Sequence, residues 1–203
     1  MTLRSKVELA LGVLVVAGVA TAAAVLVHGG FSARDQPTAL EAFVARRLRH
    51  LAVPRSARQA RNPVPATPEV LAEARAHFAD HCASCHGNDG SGQTEMGQHL
   101  YPKAPDMRRA DTQNLSDEEL FYIIHNGVRL TGMPAWGDSA PEEDQDSWKL
   151  VHFIRHLPQI SPAELEEMKK LNPRSPEEME EEREEEQFLQ GEDSPAPSPH
   201  HHH

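Results

Sequence analysis

The amino-acid sequence predicts an all-α protein, and two observations lead to that prediction. Residues 68–160 contain three stretches whose apolar side chains recur at helical spacing, each with its own start or stop signal. Ahead of them, an apolar run is long enough to form a helix that crosses a bilayer. We therefore expect four segments: an N-terminal membrane anchor (1–33), a basic amphipathic segment with a Pro-rich linker (34–67), a helical domain (68–160) and a disordered acidic tail that ends in histidines (161–203).

The anchor contains 19 consecutive uncharged residues from Leu9 to Val27, preceded by Arg4 and Lys6. A helix of about 20 residues spans the hydrocarbon core of a membrane. A cleaved signal peptide with its cleavage site at Ala20-Thr21-Ala22 is the alternative, but the apolar region of a signal peptide is usually shorter, at about 7–15 residues. We expect a single uncleaved membrane-spanning helix.

Charge divides the rest of the chain. Residues 1–61 carry a net charge of +6, residues 62–160 of −8, and residues 161–203 of −9. The acidic middle would repel phosphates, which argues against nucleic acid as a partner. Apolar residues at helical spacing between Pro37 and Pro54 predict a short helix in the basic part. That helix either lies on anionic lipid or is a solvated linker, and the sequence leaves both interpretations open.

The first helix of the domain is predicted from about Pro68 to Cys82. Thr67 can cap it and Pro68 suits the first helical position. A loop rich in Gly and Pro follows, over residues 87–109.

The second helix begins after Ser116, which forms a capping box with Glu119, and it ends at Asn126-Gly127. The third begins near Pro141 and stops before Pro158. The apolar faces of the three helices supply the predicted core: Val70, Leu71, Ala74, Phe78, Leu120, Ile123, Ile124, Trp148, Val151, Phe153, Ile154 and Leu157.

From Ser161 the helical pattern is lost. Residues 177–186 include eight Glu, and like charges with little to bury predict a frayed or disordered tail. His200 to His203 end the chain as either an added tag or a short native metal-binding tract; the sequence leaves both open and disfavours a functional metal site there.

The two cysteines of the chain lie in Cys82-Ala83-Ser84-Cys85-His86. A zinc site would need two further ligands, and a redox dithiol would need a βαβ context, so both are disfavoured. The spacing fits covalent attachment of one haem c instead, because two intervening residues let both thiols reach the haem vinyl groups. His86, the next residue, can then place an imidazole nitrogen on the iron.

Met133 is the predicted second axial ligand. It lies in a predicted loop, between Gly132 and Pro134, where a methionine has less reason to be core filler. A Met/His pair raises the reduction potential of a haem iron. The rival ligands are Met96, Met107, His77, His81, His99, His125, His152 and His156. We interpret His125 as a cation at a helix C-terminus, His77 and His81 as surface residues, and Met96 and Met107 as packing.

Residues 68–157 resemble the class I c-type cytochromes, small all-α proteins with three main helices around one haem. Phe78 matches the family's aromatic on the N-terminal helix, opposed by Trp148 or Phe153 on the C-terminal helix. The resemblance also implies that a proline carbonyl, from Pro102 or Pro105, orients the ligand histidine.

The resemblance implies a one-electron carrier and not an enzyme, bound to a bacterial inner membrane by a single span. Its haem domain would face the periplasm or outer side and exchange electrons with membrane respiratory redox proteins. Basic residues after the span favour the cytoplasmic side instead, but this charge rule is statistical. The alternative is a haem enzyme or a redox or metal sensor, in which the sixth iron position is open or differently ligated.

Overall fold

The computed structural model describes residues 2–29, 32–137, 140–141, 143–174 and 176–190, and every regular element in them is helical. In chain order the α-helices are α1 (Leu3–Gly29), α2 (Ala39–Ala52), α3 (Arg55–Gln59), α4 (Pro68–His77), α5 (Ala83–His86), α6 (Glu95–Gln98), α7 (Ala110–Gln113), α8 (Asp117–Asn126), α9 (Gln145–His156), α10 (Pro162–Lys169) and α11 (Pro176–Gln190). A π-helical turn (Phe78–Cys82) joins α4 to α5, and a 3₁₀ turn (Leu157–Gln159) follows α9. The all-α prediction is confirmed.

Helix α1 has the length and composition of a membrane span. Its stretch Arg4–Val25 has a mean hydropathy of 2.1, and none of it is buried within the protein. An apolar helix with no protein around it needs lipid to cover it, so α1 serves as the predicted membrane helix.

Helix α4 begins as predicted and ends in an unpredicted way. The Thr67 hydroxyl accepts a hydrogen bond from the Val70 amide (3.2 Å), and Pro68 occupies the first turn. After His77 the helix widens into the π turn, which ends at Cys82. Such turns insert a residue into a helix and often occur at functional sites. This one rotates the following residues and so sets the direction of α5.

Helices α8 and α9 form the second half of the domain. The predicted capping box of α8 is present, because the Ser116 hydroxyl accepts from the Glu119 amide and the Glu119 carboxylate accepts from the Ser116 amide (3.3 and 3.0 Å). Helix α9 starts at Gln145, later than predicted, because Asp144 is its cap and accepts from the Ser147 amide (2.9 Å).

The core lies where α4 and the π turn cross α9. Ala74 and Phe78 are each 1 % exposed, and the Phe78 ring lies 5.0 Å from that of Phe153. Phe153 is therefore the aromatic that opposes Phe78. Trp148 stacks on Phe121 instead, with ring centroids 4.1 Å apart.

The prediction of a disordered tail from Ser161 is wrong for the start of that segment. Ser161 and Glu164 form a capping box that opens α10, and Met168 is fully buried in the core. Arg75 on α4 pairs with Glu164 (3.2 Å). The acidic composition of the segment predicts disorder, although the sequence contains the capping box that starts this helix. The glutamate-rich stretch beyond it is helical as well, in α11, whereas residues 191–203, with the terminal histidines, lie outside the described residues.

The basic segment lies against the domain. Helix α2 opens with a capping box between Thr38 and Glu41. The Nδ1 atom of His50 lies 2.5 Å from a carboxylate oxygen of Glu119 on α8, and Val53, just after α2, is buried. The segment is therefore docked on the helical domain, and the last turn of α2 contacts α8.

Candidate haem site

The three residues of the predicted attachment motif lie on one continuous helical stretch. Cys82 closes the π turn, and Cys85 and His86 lie in the single turn of α5. Both cysteines are free and partly exposed, whereas His86 is only 8 % exposed. Gly87 then adopts a left-handed backbone (φ 73°), which ends α5 and turns the chain away.

Burial governs the protonation of this site. Burial, and to a smaller extent the neighbouring Cys85, raises the pKa of the Cys82 thiol to about 12. Burial lowers the pKa of His86 to about 4, so the imidazole is neutral at neutral pH. A neutral imidazole is the form that binds a metal ion.

The orientation of His86 indicates how its two nitrogens are used. Its buried Nδ1 atom makes no hydrogen bond of ordinary length and angle with the described residues. The backbone carbonyl of Pro105 nevertheless lies close enough to raise the pKa of the ring, against the larger effect of burial. Of the two prolines expected to orient this histidine, Pro105 is the one that faces it. Because Nδ1 is the buried ring nitrogen, Nε2 is the nitrogen left for a metal.

The loop after the motif folds back onto it. The Gly92 amide donates to the His86 carbonyl (2.7 Å), and the Thr94 hydroxyl donates to the Cys85 carbonyl (2.9 Å). A Cβ atom on Gly97 would lie 2.1 Å from that same Cys85 carbonyl oxygen, so only glycine fits there. These contacts fix the backbone of α5, whose last two carbonyls would otherwise lack partners.

Met133 lies in a loop that is held by its own hydrogen bonds. Its amide donates to the Thr131 hydroxyl (3.1 Å), and its carbonyl accepts from the Val128 amide (3.1 Å). A Cβ on Gly132 would lie 2.6 Å from the Leu100 side chain, and Trp136 lies edge-on to His81 at 5.5 Å. His81 directly precedes the motif, whereas Leu100 lies in the loop over residues 87–109 that follows it. The structure therefore places the Met133 loop against the residue before the motif and against the loop after it.

Most of the rival ligands have other partners. His125 lies in the last turn of α8, as expected, and it is buried there with its Nδ1 2.6 Å from Asp144. Met107 is buried in the core as predicted, whereas Met96 is 55 % exposed and does not pack. Three more histidines bond to Glu95, Val64 and Glu164: these are His99, His152 and His156.

The His77 and His81 rings lie 4.8 Å apart. Within the part of the chain that the structure describes, no three His, Cys, Asp or Glu residues are grouped so that they could hold a metal ion. A bare metal site of that kind is therefore not what the described residues build. Two thiols and one buried imidazole at this spacing fit haem c.

Comparison with known proteins agrees with this geometry. Residues 69–154 match the family model described as cytochrome c oxidase, cbb3-type, subunit III. A stretch of 94 residues is 32 % identical to the cbb3-type cytochrome c oxidase subunit FixP of Rhizobium meliloti (strain 1021). That stretch covers 46 % of this chain and 29 % of FixP, so the chain spans under a third of the length of this relative. Residues 69–154 thus match a c-type cytochrome family, and the all-helical architecture of the described residues, with one apolar N-terminal helix, is consistent with a membrane-anchored class I cytochrome c.

Proposed function

We propose that this protein is a one-electron carrier of a membrane respiratory chain. In this proposal one haem c is attached covalently through Cys82 and Cys85, and its iron is ligated by His86 and Met133. The observation that carries it is the placement of a buried, neutral imidazole directly after two free thiols on one helical stretch. The relative FixP, named as an oxidase subunit, supports the respiratory setting.

Each residue has a distinct part in this arrangement. The bound haem supplies reversible uptake of one electron at its iron. The Cys82 and Cys85 thiols would hold the ring against the domain through thioether bonds to its vinyl carbons. His86 binds the iron through Nε2, oriented by the Pro105 carbonyl. The thioether of Met133 favours the ferrous state and so raises the reduction potential.

With His86 and Met133 both bound to the iron, no coordination position would be left for a substrate, and this is why we propose a carrier rather than an enzyme. The domain division at 1–33, 34–67 and 68–160 fits this role, with α10 added to the cytochrome domain. The haem domain lies on the periplasmic or outer side of a bacterial inner membrane, where its partners are membrane respiratory redox proteins. Its negative charge steers basic partner faces and disfavours nucleic acid.

The visible spectrum of Met133→Ala tests the ligation. We expect wild-type protein, matured in a host that attaches haem, to be low-spin with a sulfur-to-iron band that the substitution abolishes. Met96→Ala is the matched control, because Met96 is exposed, and its spectrum stays unchanged. An unchanged spectrum in Met133→Ala would exclude Met133 as the ligand, and a high-spin wild type would indicate an open sixth position and hence an enzyme or sensor.

Denaturing electrophoresis followed by haem staining tests the covalent bond. The wild-type band retains its haem stain after denaturation. Cys82→Ala and Cys85→Ala each lose one thioether, and the double substitution loses the stained band altogether. A stained band in the double variant would contradict covalent attachment at these positions.

A further inference from the structure

Helix α2 presents two opposite faces. One face meets the cytochrome domain, where Arg46 lies 3.9 Å from Asp111 and His50 lies 2.5 Å from Glu119. The Tyr101 hydroxyl donates to Glu41 near the start of α2 (2.5 Å). These contacts turn the polar side of α2 towards acidic and hydroxyl groups of the domain.

The other face carries an exposed apolar stripe. At about 100° per residue, positions 40, 44, 48 and 51 share one side of the helix, with 43 beside them. The five side chains are between 43 % and 72 % exposed: Leu40, Phe43, Val44, Leu48 and Leu51. We call these five residues the α2 stripe.

We propose that the α2 stripe lies in the lipid interface of the membrane that α1 spans, so that α2 is wedged between the bilayer and the cytochrome domain. The short connection between α1 and α2 supports lipid as the partner of the stripe. Nine residues, 30–38, separate the two helices, and even fully extended they reach only about 30 Å. A turn at Ser32–Asp35 (3.3 Å) shortens that reach.

Charge around the stripe also favours lipid. The Arg47 guanidinium lies 5.3 Å over the Phe43 ring and can extend from within the stripe to the headgroups. Further arginines follow at positions 55, 58 and 61. An apolar face bordered by arginine is the pattern of helices that lie in the interface of anionic membranes.

This arrangement has a consequence for the whole molecule. The α2 stripe and the domain-facing side are on opposite faces of α2. Lipid contact at the stripe therefore holds α8, which contacts the domain-facing side, near the membrane. The cytochrome domain would then be held in one orientation at the bilayer rather than swing on a free tether. The sequence leaves lipid contact and a solvated linker equally open, and the exposed stripe on the side of α2 away from the domain favours lipid contact.

Quenching by brominated lipid tests this proposal in the full chain. Leu51 on the stripe and Ala45, an exposed position on the side of α2, are replaced separately by a ketone-bearing amino acid coupled to a small fluorophore. This chemistry does not involve Cys82 or Cys85, so the result is independent of haem attachment. Each protein is placed in nanodiscs of mixed phosphatidylcholine and phosphatidylglycerol, with and without bromine on the acyl chains.

We expect bromination to reduce the emission of the Leu51 probe several-fold more than that of the Ala45 probe. Equal, small losses at both positions would overturn the proposal in favour of a solvated linker. Emission that responds to the number of copies per disc, but not to bromination, would overturn it in favour of a second copy on the stripe. Circular dichroism of both proteins confirms that the helices are retained.

Discussion

His125 and Asp144 form a buried pair that ties the end of α8 to the start of α9. The Nδ1 atom of His125 lies 2.6 Å from one carboxylate oxygen of Asp144, and the other oxygen caps α9 at the Ser147 amide. Burial raises the pKa of Asp144, but the hydrogen bonds from Ser147 and His125 together outweigh it and leave the pKa below its usual range. The carboxylate is therefore ionised and serves both helices.

Replacing this carboxylate tests its double role. Asp144→Ala removes a helix cap, worth about 1 kcal/mol, and leaves a buried imidazole without its partner, at about 1–3 kcal/mol. We expect the free energy of unfolding in urea to fall by about 2–4 kcal/mol. Asp146→Ala, two residues along at an exposed position, is the control and changes it by less than about 0.5 kcal/mol. Similar values for the two variants would show that the pair contributes little.

Met168 tests whether α10 belongs to the folded domain. Its side chain is fully buried in the core, so Met168→Ala leaves a cavity and should cost about 2–5 kcal/mol of unfolding free energy. Met179 in α11 is 53 % exposed, and Met179→Ala should be nearly neutral. Urea unfolding followed by circular dichroism compares the two. Equal stabilities would mean that α10 does not pack on the core.

Glu164 should make the stability of the protein depend on acid pH. Burial raises its pKa, but bonds from Ser161 and His156 outweigh burial and lower the pKa from 4.5 to about 2. A depressed folded-state pKa means that the carboxylate stabilises the protein above about pH 4.5 and that this contribution is lost as the pH falls towards 2. Glu164→Gln should therefore lower the free energy of unfolding by about 1–2 kcal/mol at neutral pH. The difference from wild type should shrink as the pH falls from 4.5 towards 2.

Unfolding measured at a series of pH values checks this dependence. Glu166→Gln is the control, because Glu166 lies on the same helix, is 68 % exposed and pairs only with Lys169 among the described residues. The free energy of unfolding of Glu166→Gln should differ little from that of wild type at every pH. A Glu164→Gln difference that stayed constant with pH would contradict the assigned role of the carboxylate.

The features that could be predicted from the sequence are those whose signal is local. The capping box at Ser116 and Glu119 needs only two residues three apart, and the attachment motif needs five consecutive residues. The capping box at Ser161 and Glu164 is equally local, but the high net charge of the segment predicts disorder and conflicts with it. Composition predicts disorder only where nothing can be buried, and Met168 is buried.

The features that could not be predicted depend on contacts between distant parts of the chain. His50 and Glu119 are 69 residues apart, so the docking of α2 has no signature in either segment alone. The same holds for His125 and its partner Asp144, which are 19 residues apart and separated by a loop whose conformation the sequence does not predict. The π turn at Phe78–Cys82 likewise follows from tertiary packing against α9, since its residues carry no local signal for it.

Gly137 offers a test of how the Met133 loop is positioned. Its amide donates to the His125 carbonyl (3.0 Å), and a Cβ there would lie 2.0 Å from the His125 ring. That ring stacks against Phe121 and is fixed by Asp144, so it cannot move aside. Gly137→Ala must therefore displace the loop, and we expect about 1–3 kcal/mol of lost stability.

Gly132→Ala is the matched control for Gly137→Ala, because its Cβ would meet only the flexible end of Leu100. Thermal unfolding of both variants should show the larger loss at Gly137. In haem-loaded protein, Gly137→Ala should also weaken the sulfur-to-iron band and lower the reduction potential, since a displaced loop carries Met133 away from the iron. Equal unfolding temperatures would contradict the role of the His125 ring as the support of this loop. A lower stability with an unchanged band would show that the ring supports the fold but does not position Met133.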